Sequence, residues 1–487
     1  MDVKECDIVI IGCGIAGLSA GLRLLELDPS CRIGFIEARN RVGGRTETQN
    51  IGISSESTAF PVDVGGQWLG PMHKEMLSLV AWLGVELLEQ EYPDAPIPTT
   101  ASRLVECAYY SFPSLPPEAE DDVQQFNVFL RDSVEKMDPT RPFQYPEAKR
   151  LDALSAAEVV DAFISSVHGR EEIYFYLQSI LAVSPSSCSW LFFLFYVSSG
   201  GGVEALGDGE QGAQKYKIKG GAGRISQLVL EKLSSMKDVQ TPLFHFRYAV
   251  RLIEQSVDDS SASDRVGHND YQVAVTAVST LDENTHQIQY FTRRVIVAVP
   301  FTICTRELTF SPPLPECKIA LGRKIRPGGV FKVVVCYPQG TVFGFGICRA
   351  LKDLGFVHNI FASNVGNYPS LVGLITGPAA EGFKKLDDSA KKTAVISQYA
   401  SMYSLEVRPV ACVIRDWTNS EKYSGGCFAG VFPPTSDATF ASNFKALKTP
   451  FGRIHFAGTE TSEHFYGYME GARLSGLRTA AEVNQAL

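Results

Sequence analysis

Gly12-Cys13-Gly14-Ile15-Ala16-Gly17 is the first place in this chain where residue type and spacing imply chemistry. Gly12 permits a tight turn, Gly14 lets backbone approach a pyrophosphate, and Gly17 lets a following helix pack close. A helix opening at Ile15 and Ala16 would turn free N–H groups and a positive dipole end toward phosphate. Glu37 lies about 20 residues past Gly17, where a carboxylate takes ribose hydroxyls. These features predict a dinucleotide site and leave NAD and FAD both open. Arg41 and Arg45 flank Gly43-Gly44 and could reach phosphate oxygens, unless the loop is simply basic and solvated. Gly65-Gly66-Gln67 is a second glycine turn, where backbone could lie against a flat ring. Lys332 sits in Val330-Phe331-Lys332-Val333-Val334-Val335. Burying an unpaired ammonium is costly, so this lysine either has a partner inside or faces water from an edge strand. Cys427 follows Gly425-Gly426 and, taken alone, reads as an inert buried thiol.

The elements that must hold these residues can be read from the pattern. Asp7 to Ile11 is a β-branched run of the kind found in buried parallel strands. Helical spacing through Leu18, Leu22 and Leu25 follows, Pro29 closes it, and Arg32 to Ile36 predicts a second strand before Glu37. A helix is predicted over 224–233, and extended chain over 244–250 and 294–299. At the far end, Arg453 to Ala457 predicts a strand. A final helix carries Ala472, Gly476 and Ala480 four apart, a face thin enough for close packing on a sheet or ligand. Trp190 to Val197 is apolar on all sides and predicts a buried core element. Asp258–Asp270 predicts a surface hairpin, and Pro93–Asp122, rich in proline and acids, a surface loop.

The whole-chain numbers exclude several classes. At 487 residues two or more domains are expected. With 45% hydrophobic and 20% charged residues the chain is neither disordered, collagen-like nor a small disulfide scaffold. Lys and Arg number 45 against 54 Asp and Glu, a net charge of -9, so no broad cationic field favours nucleic acid. The 11 cysteines lack a C-x-x-C pair and the 8 histidines lack ligand spacing, so no metal is expected. No export signal, membrane segment or terminal anchor is read. That predicts a cytoplasmic protein, or one of the mitochondrial outer membrane if an anchor is missing from this chain. Oligomeric state is not readable.

Several motifs now fall in one order. These are the 12–17 turn, Glu37, R-V-G-G-R-T at 41–46, D-V-G-G-Q-W at 63–68, Gly220-Gly221, Lys332, Y-S-G-G-C at 423–427, A-G-T-E-T at 457–461 and G-Y-M-E-G-A at 467–472. In this order the chain resembles the flavin-dependent amine oxidases, and among them it is most similar to the monoamine oxidases. The resemblance spans nearly the whole length and is loose over roughly 88–214. It implies an extended FAD, with the pyrophosphate on Gly12–Gly17 near Arg41 or Arg45, ribose on Glu37, and adenine against the Val250 backbone. The ribityl and phosphate region would lie near Glu460, Gly458 and Met469 would also bind the cofactor, and Cys427 would carry the flavin through a thioether. Lys332 would be bridged by water to the flavin ring. Tyr468 would face a second aromatic across the substrate amine, with Gln214 and Tyr176 on the substrate side. That second aromatic is Phe428, where the monoamine oxidases have tyrosine, so a hydroxyl dipole is lost.

The implied fold is α/β. A discontinuous Rossmann-like FAD domain (1–87, 215–300 and 419–487) joins an α+β substrate domain (88–214 and 301–418) containing a mixed sheet. The implied function is FAD-dependent oxidation of primary amines by O2 to aldehyde, ammonia and hydrogen peroxide. Alternatives are a polyamine or L-amino-acid oxidase, or a flavoprotein that has lost turnover and serves as a binding module. A chromatin demethylase relative is disfavoured, since no segment is left for an added module. Cys427 argues for monoamines, because polyamine oxidases generally lack it.

Overall fold

The computed structural model describes residues 2–53, 59–90, 105–106, 115–206, 211–256, 271–282, 286–343, 347–350 and 355–487. Its chemistry-bearing end is built on one large sheet. The strand Asp2–Ile11 pairs in parallel with Ile33–Glu37 on one side and Gln287–Val297 on the other, Ile8 opposing Ile33 and Arg294. Leu243–Phe246 extends the parallel set beyond Ile33–Glu37, and Ile454–Phe456 lies beside Val295–Val297. Buried on both faces, Ile8–Ile11 and Ile33–Glu37 need the unbroken apolar runs that the sequence supplies. The long strand Gln287–Val297 does double duty. Its first half pairs antiparallel with Val273–Ser279, which pairs in turn with Tyr248–Gln255.

Two helices close over this sheet. Ile15–Leu27 starts directly after Gly14, and Met469–Ala486 ends the chain. They touch along the small-residue face: a Cβ added to Gly476 would fall 2.3 Å from the Ala16 carbonyl oxygen. The predicted stripe therefore packs chiefly on a helix. The 244–250 segment divides in two, because Arg247 adopts a left-handed φ of 65°. Leu243–Phe246 stays in the parallel set, and Tyr248–Gln255 turns into the antiparallel one.

The second sheet orders Ala411–Asp416, Val330–Cys336, Tyr368–Thr376, Asn359–Val365, Ile347–Ala350 and Val105–Glu106. It is where the sequence predicts mixed pairing, yet every described pair in it is antiparallel. The reversal at Gly366, with φ 57°, leaves no length for a crossover between Asn359–Val365 and Tyr368–Thr376, which therefore pair antiparallel. The parallel–antiparallel mixture belongs to the large sheet. Beside these sheets, Pro117–Glu135, Val167–Leu181 and Trp190–Ser199 form an aromatic-rich helical cluster, and Trp190–Val197 is buried throughout. The predicted loop over 93–122 is corrected at its end: Pro117–Asp122 opens a helix. Its proline stands at the first position, where a missing N–H costs nothing, and Glu118 and Glu120 favour the dipole. The predicted hairpin 258–270 lies outside the described residues.

Candidate active site

The glycine turn has the geometry its spacing demands. Gly12 takes a φ of 100°, and a Cβ on it would meet the Ala298 carbonyl oxygen at 2.9 Å. A Cβ on Gly17 would lie 2.0 Å from the Gly12 oxygen, so helix and turn are in direct contact. Gly14 is different. The nearest atom to its added Cβ is 4.0 Å away, and the residue borders a cavity of about 560 Å³. The helix that starts here has no side-chain cap and no acid in its first turn, and Ile15 and Ala16 line the cavity. Its open amides are thus available to an anion. Glu37 is 4% exposed, also lines the cavity, and accepts the N–H groups of Cys13 at 2.8 Å and Arg39 at 2.9 Å. Those two bonds fix the carboxylate and leave further lone pairs for hydroxyl donors.

The two candidate arginines part company. Arg41 turns to Glu47 at 2.6 Å, a carboxylate it shares with Arg415 at 3.0 Å, and it is not among the cavity-lining residues. Arg45 lines the cavity, grips Glu460 through two bonds of 2.6 and 2.9 Å, and donates to the Phe428 carbonyl at 2.9 Å. Burial works against the Arg45 charge, and the Glu460 carboxylate outweighs it and raises the pKa. Glu460 is itself held behind Arg45 and is not among the lining residues, whereas Gly458 and Val250 are.

At the other end of the same cavity the side chains suit a flat, electron-poor ring. Lys332 lies in an interior strand, between Tyr368–Thr376 and Ala411–Asp416, and is only 3% exposed. Its Nζ donates to the Gly65 carbonyl at 2.9 Å and to Gln67 Oε1 at 2.6 Å, so the second glycine turn supplies the partners that burial requires. Burial drops its pKa from 10.5 to about 8, with Asp63 pulling the other way. Asp63, in turn, is pushed up to about 6 by burial. Gly65 fits under Arg45, where a Cβ would stand 2.4 Å from the Arg45 oxygen, and Gly66 and Gln67 line the cavity. Cys427 borders the cavity with a thiol that burial pushes up to about 11, so it stands neutral near pH 7. Phe428 and Tyr468 line it too. Tyr468 is the N-cap residue of Met469–Ala486, a helix start without a side-chain cap. Glu470 there is committed elsewhere, accepting the Glu75 and Met76 N–H groups at 2.9 and 2.7 Å. Met469 and Ala472 line the cavity, so the positive end of this helix faces it. Gln214 and Tyr176 line it as well.

One cavity therefore brings together the 12–16 turn, Glu37, Arg45, Gly65–Gln67, Val250, Lys332, Cys427, Phe428, Gly458, Tyr468 and Met469. Gly17, Arg41 and Glu460 stand behind its wall. The donor set fits a flavin dinucleotide. Uncapped amides and an unobstructed Gly14 suit the pyrophosphate, a fixed carboxylate suits the ribose, and a second helix start suits an electron-rich ring edge. Sequence reasoning missed Arg39, which lines the cavity and pairs with Glu421 at 2.6 Å, and Glu172, Ile180 and Tyr196, which line the same cavity. Glu172, Tyr176 and Ile180 are four apart on one helix, a signal that was readable once Tyr176 was placed there. Among the described residues no group of His, Cys, Asp and Glu is placed to hold a metal ion.

Comparison with known proteins agrees with this geometry. The family model described as flavin containing amine oxidoreductase matches residues 15–484. The chain is 29% identical to the dog amine oxidase [flavin-containing] A over 493 aligned positions, covering 99% of this chain and 85% of that protein. It is 27% identical to the cattle amine oxidase [flavin-containing] B, covering 99% and 87%. Among solved structures, a putrescine oxidase bound to putrescine superposes with a TM-score of 0.81 at 22% identity, covering 99% of this chain and 100% of that one. Cyclohexylamine oxidase from Brevibacterium oxydans gives 0.80 at 22%, covering 99% of each.

Proposed function

This chain belongs to the flavin-containing amine oxidoreductase family and is a flavin-dependent amine oxidase, and we propose that it oxidatively deaminates primary amines, using O2, to aldehyde, ammonia and hydrogen peroxide. The observation that carries the proposal is the meeting of Lys332, Cys427, Phe428 and Tyr468 on the cavity that begins at the glycine turn. FAD would be held by the open helix start at Gly14–Ala16, by Glu37, and by the Val250 and Gly65–Gln67 backbone. When bound, the flavin supplies the two-electron oxidation of the carbon next to the amine nitrogen and the onward reaction with O2.

The protein's own share is position, dryness and charge. Phe428 and Tyr468 offer aromatic walls that strip water from the amine and favour its neutral form, whose lone pair then assists loss of the C–H. No side-chain base is needed at that step. Lys332 holds a polar hydrogen-bonding head in an otherwise dry wall and can orient a water molecule beside Gly65 and Gln67. The start of the final helix stabilises negative charge gathering on the ring. Cys427 is the proposed point of covalent attachment, supported by its place on the cavity wall. The proposed domain division (1–87, 215–300 and 419–487 against 88–214 and 301–418) is supported by the two main sheets. Its weak point is Thr309–Ser311, which pairs with Tyr248–Gln255 of the large sheet. No described helix is long and apolar enough to cross a membrane.

The test is stoichiometric. Flavin-loaded protein given benzylamine or tyramine in air should release peroxide, aldehyde and ammonia in equal amounts. Peroxide without ammonia would overturn deamination. A flavin that no amine reduces would favour the binding-module reading, for which the Phe428 substitution is the motive. Acid precipitation should leave the yellow colour in the pellet for wild type and in the supernatant for Cys427→Ala.

A further inference from the structure

We infer that a recess beside the flavin cavity binds the phosphate group of a small molecule, at a site separate from the one that holds the flavin. The recess has a volume of about 400 Å³, and its walls carry Arg39, Arg41, Arg247 and Arg415 together with the carboxylate of Glu421. It shares Ala38, Arg39 and Tyr423 with the flavin cavity. The glycine turn, Glu37 and Val250 line the flavin cavity and not the recess, so the place proposed for the flavin pyrophosphate lies elsewhere. Arg41, whose position in the sequence suggested a phosphate contact, opens into this recess and not into the flavin cavity.

The arginines are anchored without being saturated. Arg41 Nη2 and Arg415 Nη2 both donate to Glu47 Oε2, at 2.6 and 3.0 Å. Arg39 Nη2 donates to Glu421 at 2.6 Å and to Ser424 at 2.9 Å, and Glu37 lies 4.0 Å from its Nη1. Arg39 Nε and Nη1 and Arg415 Nη1 donate to no described residue, and no described carboxylate pairs with Arg247. Positive charge therefore stays in excess. These groups are set into the wall: the Arg39 side chain is 12% exposed, and those of Arg41 and Arg415 are 26% exposed. Burial, aided by the Arg39 and Arg415 charges, holds Arg41 below its ordinary pKa in spite of Glu47, and an anion in the recess would relieve that crowding.

Arg247 comes from another part of the chain. Its backbone is left-handed, with φ 65°. Its N–H donates to the Arg39 carbonyl at 3.0 Å, and its own carbonyl accepts the Thr280 N–H at 2.8 Å, which pins this turn beside the 39–41 loop. Loop, turn and the strand Ala411–Asp416 thus supply guanidinium groups from separate segments. A carboxylate presents its acceptor oxygens in one plane. A phosphate presents them tetrahedrally and carries about two negative charges, so it can engage several guanidinium groups at once. The volume falls within the range of small-molecule sites, about 300–1,000 Å³, and leaves room for the body of a phosphate ester.

The experiment is calorimetric titration of the flavin-loaded protein with inorganic phosphate and with AMP, at an ionic strength fixed with NaCl so that general screening does not vary. Binding should saturate at about 1 mM or below. AMP binding tighter than phosphate would assign the site to a nucleotide, and AMP no tighter than phosphate would assign it to the free ion. Arg247→Asn removes the charge while keeping a residue that tolerates a left-handed backbone, and it should weaken binding about tenfold with flavin absorbance unchanged. Arg415→Gln should weaken it by a similar factor. If that variant loses flavin, Arg247→Asn decides. No saturable binding of either probe, displacement of phosphate by an equal concentration of acetate, or unchanged affinity in Arg247→Asn would each overturn the inference. Neither probe is an amine, so the result stands apart from the deamination reading.

Discussion

Burial lowers Lys332 from 10.5 to about 8, and the sign of its effect on stability follows. Between those values an unfolded chain keeps a proton that the folded protein has released, so this lysine makes stability rise with pH across that window. Below about 8 its burial cost is complete. In Lys332→Met that dependence disappears. The stability of wild type relative to the variant, from urea midpoints, should therefore climb by a few kcal/mol between pH 8 and 10.5. A flat difference would contradict the burial described for Lys332. Phe428 is the second residue-scale test. Phe428→Tyr adds a hydroxyl dipole to the cavity wall where the amine is proposed to bind and should raise kcat, whereas Phe428→Ala removes one aromatic wall and should raise KM about tenfold. Part of this scale was legible in the sequence: a lysine among β-branched residues had either to find a partner inside or to face water from an edge strand, and it found Gly65 and Gln67. The choice between Arg41 and Arg45 was not legible. Both flank one turn, and what separates them is that Glu47 lies nearby in sequence while Glu460 is 415 residues away from Arg45.

Among the elements, the turn and its helix make the sharpest contrast. Gly14→Ala places its Cβ 4.0 Å from the nearest protein atom and should cost about 1 kcal/mol through the poorer N-cap, while impairing flavin retention because the new methyl occupies cavity space. Gly17→Ala drives a Cβ against the Gly12 oxygen and should destabilise the fold itself by several kcal/mol. Thermal unfolding and bound-flavin absorbance, measured on both variants, separate the two effects. The strand–turn–helix–strand order was readable because each piece is periodic and each glycine has a steric reason. Three features were hidden. The left-handed Arg247 splits one extended run in two. The helix beginning at Pro117 is masked by its proline and acids, which look like loop until their place in a first turn is known. The antiparallel pairing of the second sheet depends on connections that hydrophobic alternation does not encode.

For the whole molecule, the central claim is that distant parts of the chain close around one flavin. The final helix meets Ile15–Leu27 at Gly476, where even a methyl group would strike the Ala16 carbonyl. Gly476→Val should therefore loosen the wall that carries Tyr468 and Met469, and release flavin although the residue lies outside the cavity lining. Retention of flavin with an unchanged melting temperature would contradict that packing. The most direct measurement is made on the flavin-loaded protein in the absence of air. Addition of a primary amine should bleach the flavin absorbance within turnover time, and admission of O2 should restore it with one peroxide per amine consumed. Absorbance that persists through an excess of mono- and diamines would contradict the account.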